Sequence, residues 1–191
     1  IDEEVHFDED SGRNQIADLD DVFGDVDGDE LTYDVSDVPD ELNLVLEDGH
    51  LLIVETNENY NLNDGVEITV TATDEGNVPV ENLFTLFIDP INDAPEAIGG
   101  IEDVTINEDD ERLVISDDIT ALFRDIDEGD ELVYFIENAP ERANLIIEED
   151  FVLSIEPDEN YNLPGGATIT LRAEDTGDES ATITFELVIV P

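Results

Sequence analysis

Hydrophobic and polar residues alternate along this chain over short stretches, with a period of two. Leu31, Tyr33 and Val35 follow the pattern, as do Leu42, Leu44 and Leu46. Residues 66–73 and 83–88 are rich in β-branched and aromatic side chains and are bounded by turn residues. Such segments are half-buried β-strands, because successive side chains of a strand point to opposite faces. Asp64-Gly65 and Pro164-Gly165-Gly166 are expected to form tight turns that precede strands. The one helical hint lies at residues 18–23, a turn or two at most.

The whole pattern occurs twice. Phe23-Gly24-Asp25-Val26-Asp27 returns as Phe123-Arg124-Asp125-Ile126-Asp127, and Asn59-Tyr60-Asn61-Leu62 as Asn160-Tyr161-Asn162-Leu163. Residues 68–74 are answered by residues 169–175, and 84–88 by 185–189. One residue inserted around Glu128-Gly129 accounts for a step in spacing between the copies. About seven short strands in about 100 residues suggest an antiparallel β-sandwich of immunoglobulin-like type. The expected architecture is therefore all-β, two tandem sandwiches arranged end to end, at residues 1–92 and 93–191. Between them, Pro90 and Pro95 break the strand and stiffen residues 89–95.

Composition narrows the function. The 191 residues include 55 Asp and Glu against five Arg and no Lys, a formal charge of −50, while 40% of the chain is hydrophobic. That apolar share is enough for a core, unlike an acidic disordered tail. The charge excludes binding along nucleic-acid backbones and docking on anionic lipid, both of which need basic residues. No apolar run approaches the length that crosses a bilayer, so no membrane insertion is expected. Zero Cys removes disulfides and thiol chemistry, and two His without Cys disfavour a zinc or haem site. Residues 1–10 are acidic where a secretion signal is basic and then apolar, so the sequence reads as a mature fragment of something larger.

The recurring carboxylates sit at strand ends. Asp25, Asp27, Asp125 and Asp127 lie in a loop before a strand, and Asp74 and Asp175 end another. Glu9 and Glu108 follow the first strand of each copy, and Glu58 and Glu159 precede the Asn-Tyr-Asn turn. Calcium takes about six to eight oxygen ligands, which carboxylates gathered at loop ends can provide. The helix-loop-helix calcium motif is excluded, because Glu30 stands where its Gly is required and Ser36 where its last Glu is required. Tyr60 and Tyr161 are expected to pack at a corner of each sandwich. His6 and His50, without equivalents in the second copy, are expected on the surface.

Residues 23–33, then 70–76, then Ile91-Asn92-Asp93-Ala94-Pro95 at the boundary together carry a family resemblance. The chain resembles tandem cadherin-like repeats, especially the bacterial and dystroglycan-type versions. The resemblance implies calcium shared between successive repeats. It assigns Glu9, Glu58, Asp89, Asn92 and Asp93 from the first copy and linker, and Asp125, Asp127 and Asp175 from the second. Asp25, Asp27 and Asp74 would face a preceding repeat, and Glu108 and Glu159 a following one. Departures from the family pattern imply fewer or weaker ions: Asn92 replaces an Asp, Ile91 an Asn, and Asn57-Glu58 lacks a companion Asp.

The resulting expectation is a calcium-rigidified spacer of a large secreted or cell-surface bacterial adhesin-like protein, with neighbouring repeats of the same chain as partners. The alternative is a calcium-dependent binding module for polysaccharide or for an identical module in homotypic cell-cell adhesion. Low aromatic content, 6% with no Trp, weakens the polysaccharide reading. The acidity is also compatible with a saline habitat, since net charge governs solubility. No nucleophile motif or phosphate loop accompanies the carboxylates, and the chain is not expected to be an enzyme.

Overall fold

The computed structural model describes every residue except Glu41, Asn77 and Glu128. It divides the chain into two compact units, Ile1–Ile91 and Asn92–Pro191. The first unit contains β1 (Glu4–Asp8), β2 (Arg13–Asp18), the single helical turn α1 (Leu19–Val22), β3 (Thr32–Ser36), β4 (Asn43–Glu47), β5 (Leu51–Glu55), β6 (Leu62–Thr73) and β7 (Pro79–Asp89). The second contains β8 (Glu96–Ala97), β9 (Val104–Asn107), β10 (Leu113–Ser116), β11 (Phe123–Arg124), β12 (Val133–Glu137), β13 (Leu145–Ile147), β14 (Leu153–Ile155), β15 (Leu163–Glu174) and β16 (Ser180–Val190). Among the described residues, no helix is long and apolar enough to cross a membrane.

Each unit is a two-sheet sandwich. In the first, a sheet of order β1-β7-β6-β3 faces one of order β2-β5-β4. In the second, β12-β15-β16-β9 faces β10-β14-β13, with β8 and β11 forming a short extra pair. Alternation produces the core: Ile68 and Val70 of β6, and Phe84, Leu86 and Ile88 of β7, point inward and are buried. The nine buried core residues of the first unit, among them Leu19, Leu42 and Leu52, all have buried counterparts in the second, from Ile119 through Ala143 and Leu153 to Ile189. One hydrophobic template is thus used twice, which is why the repeat is visible in the sequence.

Two features differ from the expectation of an antiparallel sandwich with tight turns. The first strand of each unit pairs parallel at a sheet edge, β1 with β7 and β9 with β16. The remaining pairings are antiparallel. Asp64-Gly65 and Gly165-Gly166 do not form turns ahead of strands. They lie inside β6 and β15, where the register with β7 and β16 shifts between Leu62 and Val66 and between Leu163 and Ala167. A β-bulge uses the same left-handed glycine as a tight turn, so composition does not distinguish the two.

The bulge glycines are not equivalent in their surroundings. Gly65 has φ +67°, and a Cβ there would lie 2.5 Å from Phe87 Cε1 and 2.8 Å from Thr85 Cγ2. Gly166 has φ +68°, with Val188 Cγ2 the nearest atom at 3.4 Å. Gly166→Ala should therefore cost about 1–2 kcal/mol, the left-handed penalty alone. Gly65→Ala should cost about 1–3 kcal/mol beyond that, from overpacking against Phe87. Denaturant unfolding of the two variants measures the difference. Equal losses would mean that Phe87 swings aside without cost.

Candidate metal centre

The second unit gathers carboxylates at the ends of β11 and β15. Asp125 follows β11, and its Oδ1 accepts from the Asp127 amide at 3.0 Å. Asp175 follows β15 and is buried; its Oδ1 accepts from the Glu179 amide at 2.8 Å, and its Oδ2 from Asn92 Nδ2 at 3.1 Å. Asp130 accepts from Thr176 Oγ1 at 2.7 Å through Oδ1. One oxygen each of Asp125, Asp130 and Asp175 lies within 4.8 Å of the others. The Oδ2 atoms of Asp125 and Asp130 are shielded from water and accept no hydrogen bond among the described residues.

Such a group cannot be neutralised from within. The chain's five arginines are committed to other carboxylates: Arg13 to Glu47 and Glu55, Arg112 to Glu148, Arg124 to Glu96, Arg142 to Asp158, and Arg172 to Glu137 and Glu174. Carboxylate oxygens removed from water without a donor are costly unless a cation or proton joins them. Hard oxygen donors of this kind suit calcium, with backbone carbonyls and water completing its shell.

The assigned residues fall into two sets. In the first unit, the Glu9 amide donates to Asp89 O at 2.8 Å, and buried Glu9 accepts from the Ile91 amide at 3.0 Å through Oε1. Asp89 accepts from His6 Nδ1 at 2.9 Å. Glu58 is exposed, on a turn tied to the end of β1 by Asn59 N and Asp10 Oδ1 at 2.9 Å. In the second unit, Asp93 N donates to Asp127 Oδ2 at 2.7 Å. Asn92 presents its amide nitrogen to Asp175, a donor where the family pattern has an acid. Its neighbour Gly177 leaves room for it, since a Cβ there would lie 2.2 Å from Asn92 Oδ1.

Asp130 was not among the residues singled out from the sequence. Its signal was the spacing of Asp125, Asp127 and Asp130 in one loop, obscured by the extra residue at 128–129. The first unit repeats the loop geometry: Asp25 Oδ1 accepts from the amides of Asp27 and Asp29, and Asp74 Oδ1 from that of Val78. The Asp29 amide foremost, with that of Asp27, holds the Asp25 carboxyl below its ordinary value against the opposing effect of burial. Asp25, Asp29 and Asp74 do not form a comparable group among the described residues.

A separate group surrounds His50, which is partly exposed at the surface as expected and is paired there with two carboxylates. Its Nδ1 lies 2.9 Å from Asp18 Oδ1 and 3.7 Å from Asp20 Oδ2. The hydrogen bond to Asp18 raises the His50 pKa above its ordinary value, and in turn lowers that of Asp18. Burial, and then the hydrogen bond to Asp20, push the Tyr33 hydroxyl up to about 12. By linkage, a raised histidine contributes stability that is complete below its unfolded pKa of about 6.5 and is lost as pH rises through the folded value. The depressed Asp18 contributes above its unfolded value and loses this as pH falls. In metal-free buffer, the melting-temperature gap between wild type and His50→Gln should be widest near about pH 5–6 and close towards about pH 9. A gap that widens with rising pH would contradict this pairing.

A family model described as "Cadherin-like domain" matches residues 91–190. The structure of human mucin-like protocadherin EC1-2 is 16% identical with a TM-score of 0.56, covering 99% of this chain and 96% of that one. Human protocadherin-24 EC1-2 is 19% identical with a TM-score of 0.57, covering 99% and 94%. Drosophila N-cadherin EC1-4 is 15% identical with a TM-score of 0.56, covering 98% of this chain and 48% of that one. At such identities the likeness establishes the fold alone. No curated protein matches the sequence significantly. Cadherin-like repeats are typical of adhesion and extracellular proteins, and cadherin domains generally bind calcium. With a two-domain likeness across nearly all its length and a family model matching just over half of it, the chain belongs to the cadherin-like domain family.

Proposed function

We propose that this chain is a calcium-stiffened, non-catalytic spacer of a large secreted or cell-surface bacterial adhesin-like protein. The observation that carries the reading is the group Asp125, Asp130 and Asp175, with two buried carboxylate oxygens lacking donors among the described residues and every arginine paired with other carboxylates. Glu9, Glu58, Asp89, Asn92, Asp93 and Asp127 are the further calcium donors that family resemblance assigns. The partners in this reading are neighbouring repeats of the same chain, and the function is control of spacing and stiffness.

The alternative, a module that binds an identical copy or polysaccharide, stays with the same calcium chemistry. Carbohydrate recognition favours exposed aromatic faces. Tyr60 and Tyr161 are turned against the two hydrophobic cores, and Arg142 covers the Tyr161 ring at 4.7 Å. That arrangement supports the spacer over the polysaccharide reading.

Small-angle scattering of the full chain tests the proposal. A cation shared by consecutive repeats would restrict residues 89–95, so calcium should narrow the distribution of intramolecular distances relative to chelator. Superimposable profiles in the two conditions would contradict the spacer and favour the binding module.

A further inference from the structure

The corner at which α1 meets the β4–β5 turn is built in both units, but with different side chains. In the first, the Leu19 amide donates to His50 O at 2.9 Å; in the second, the Ile119 amide donates to Phe151 O at 3.0 Å. The Asp20 amide donates to Asp18 Oδ1 at 3.1 Å, as that of Thr120 does to Asp118 Oδ1 at 2.8 Å. Phe23 packs on Tyr33 at 5.8 Å between centroids, and Phe123 on Tyr134 at 5.9 Å. The scaffold is thus the same, while Asp20 and His50 replace Thr120 and Phe151. The corner folds without an imidazole or a second carboxylate, so their presence in the first unit calls for another explanation.

We propose that Asp18, Asp20 and His50 form a binding site for a first-row transition cation such as zinc. The set joins one imidazole nitrogen to two carboxylates, all within 4.8 Å of one another. Imidazole is a poor ligand for the hard calcium ion and a good one for borderline divalent cations. Two ligands of a tetrahedral zinc at about 2.0 Å stand about 3.3 Å apart. The observed separations from His50 Nδ1, 2.9 and 3.7 Å, bracket that value.

The ligands are held by structure on three sides. Asp18 ends β2 and caps α1 through its side chain, Asp20 lies in the first turn, and His50 immediately precedes β5. Tyr33 Oη donates to Asp20 Oδ1 at 2.8 Å, which orients that carboxylate and leaves Oδ2 turned to His50. Outer hydrogen bonds of this type fix ligand geometry in metal sites. An open depression bounded by Asp20, Tyr33, Asp48 and His50 gives a hydrated ion access and leaves positions for water. The low histidine count and absence of Cys exclude a zinc site of several imidazoles or thiolates, whereas this one requires a single imidazole.

Titration calorimetry of zinc chloride into the full chain, with calcium saturating, tests the site. Wild type should show one zinc site that His50→Phe and Asp20→Thr each weaken at least about tenfold. Both variants import the second unit's own residues, so their folding is readily checked by circular dichroism. His6→Phe, which removes the other imidazole, should leave the site intact. The absence of a zinc site in wild type, an isotherm unchanged by His50→Phe or by Asp20→Thr, or an equal loss in His6→Phe would overturn the proposal.

Discussion

Carboxylate oxygens that leave water without a donor to meet them impose the central constraint on this protein. With 55 acids and five arginines, pairing within the chain is arithmetically impossible for most of them. Most stay solvated, where repulsion is screened and weak. At Asp125, Asp130 and Asp175 the fold instead gathers three at one strand-end cluster and shields two oxygens from solvent. The arginines are fixed elsewhere, mostly at exposed pairs that contribute little stability. On the proposed reading an external cation offsets the repulsion in this cluster, and calcium is the cation that hard oxygen donors suit.

The sandwich supplies that arrangement cheaply because its core and its loops are separable. Nine buried positions recur in both units and define the strands, so the loops at strand ends can diverge without loss of fold. Divergence is visible at two places. The loop after β11 is one residue longer than its counterpart, and there Asp130 joins Asp125 and Asp175. The corner beside α1 carries Asp20 and His50 in one unit and Thr120 and Phe151 in the other, on the same backbone hydrogen bonds. A shared core thus supports two chemically distinct corners.

The strands, the repeat and the family were legible in the sequence because each rests on local periodicity or on motifs contiguous in the chain. What escaped depends on pairing between distant segments. Gly65 reads equally well as a turn or a bulge until the register of β6 against β7 is known. The parallel edge formed by β1 and β7 joins residues some eighty positions apart. Asp130 was one acid among many, distinguished only by its approach to Asp125 and Asp175. The pairing of His50 with Asp18 joins positions 32 residues apart, and nothing in the sequence marks it. Conversely, the carboxylates of Asp125 and Asp175, marked by recurrence at strand ends, do come together.

Asp130→Asn probes the constraint directly, since it removes one charge from the cluster while retaining an oxygen that can accept from Thr176. Thermal melting of wild type and variant should be recorded in chelator, in calcium, and in sodium chloride of matched ionic strength. If the cluster is a cation site, the variant melts higher than wild type in chelator, where it relieves repulsion, and lower in calcium, where it lacks a ligand. A variant that melts on the same side of wild type in both, or sodium that reproduces the whole effect of calcium, would contradict the account.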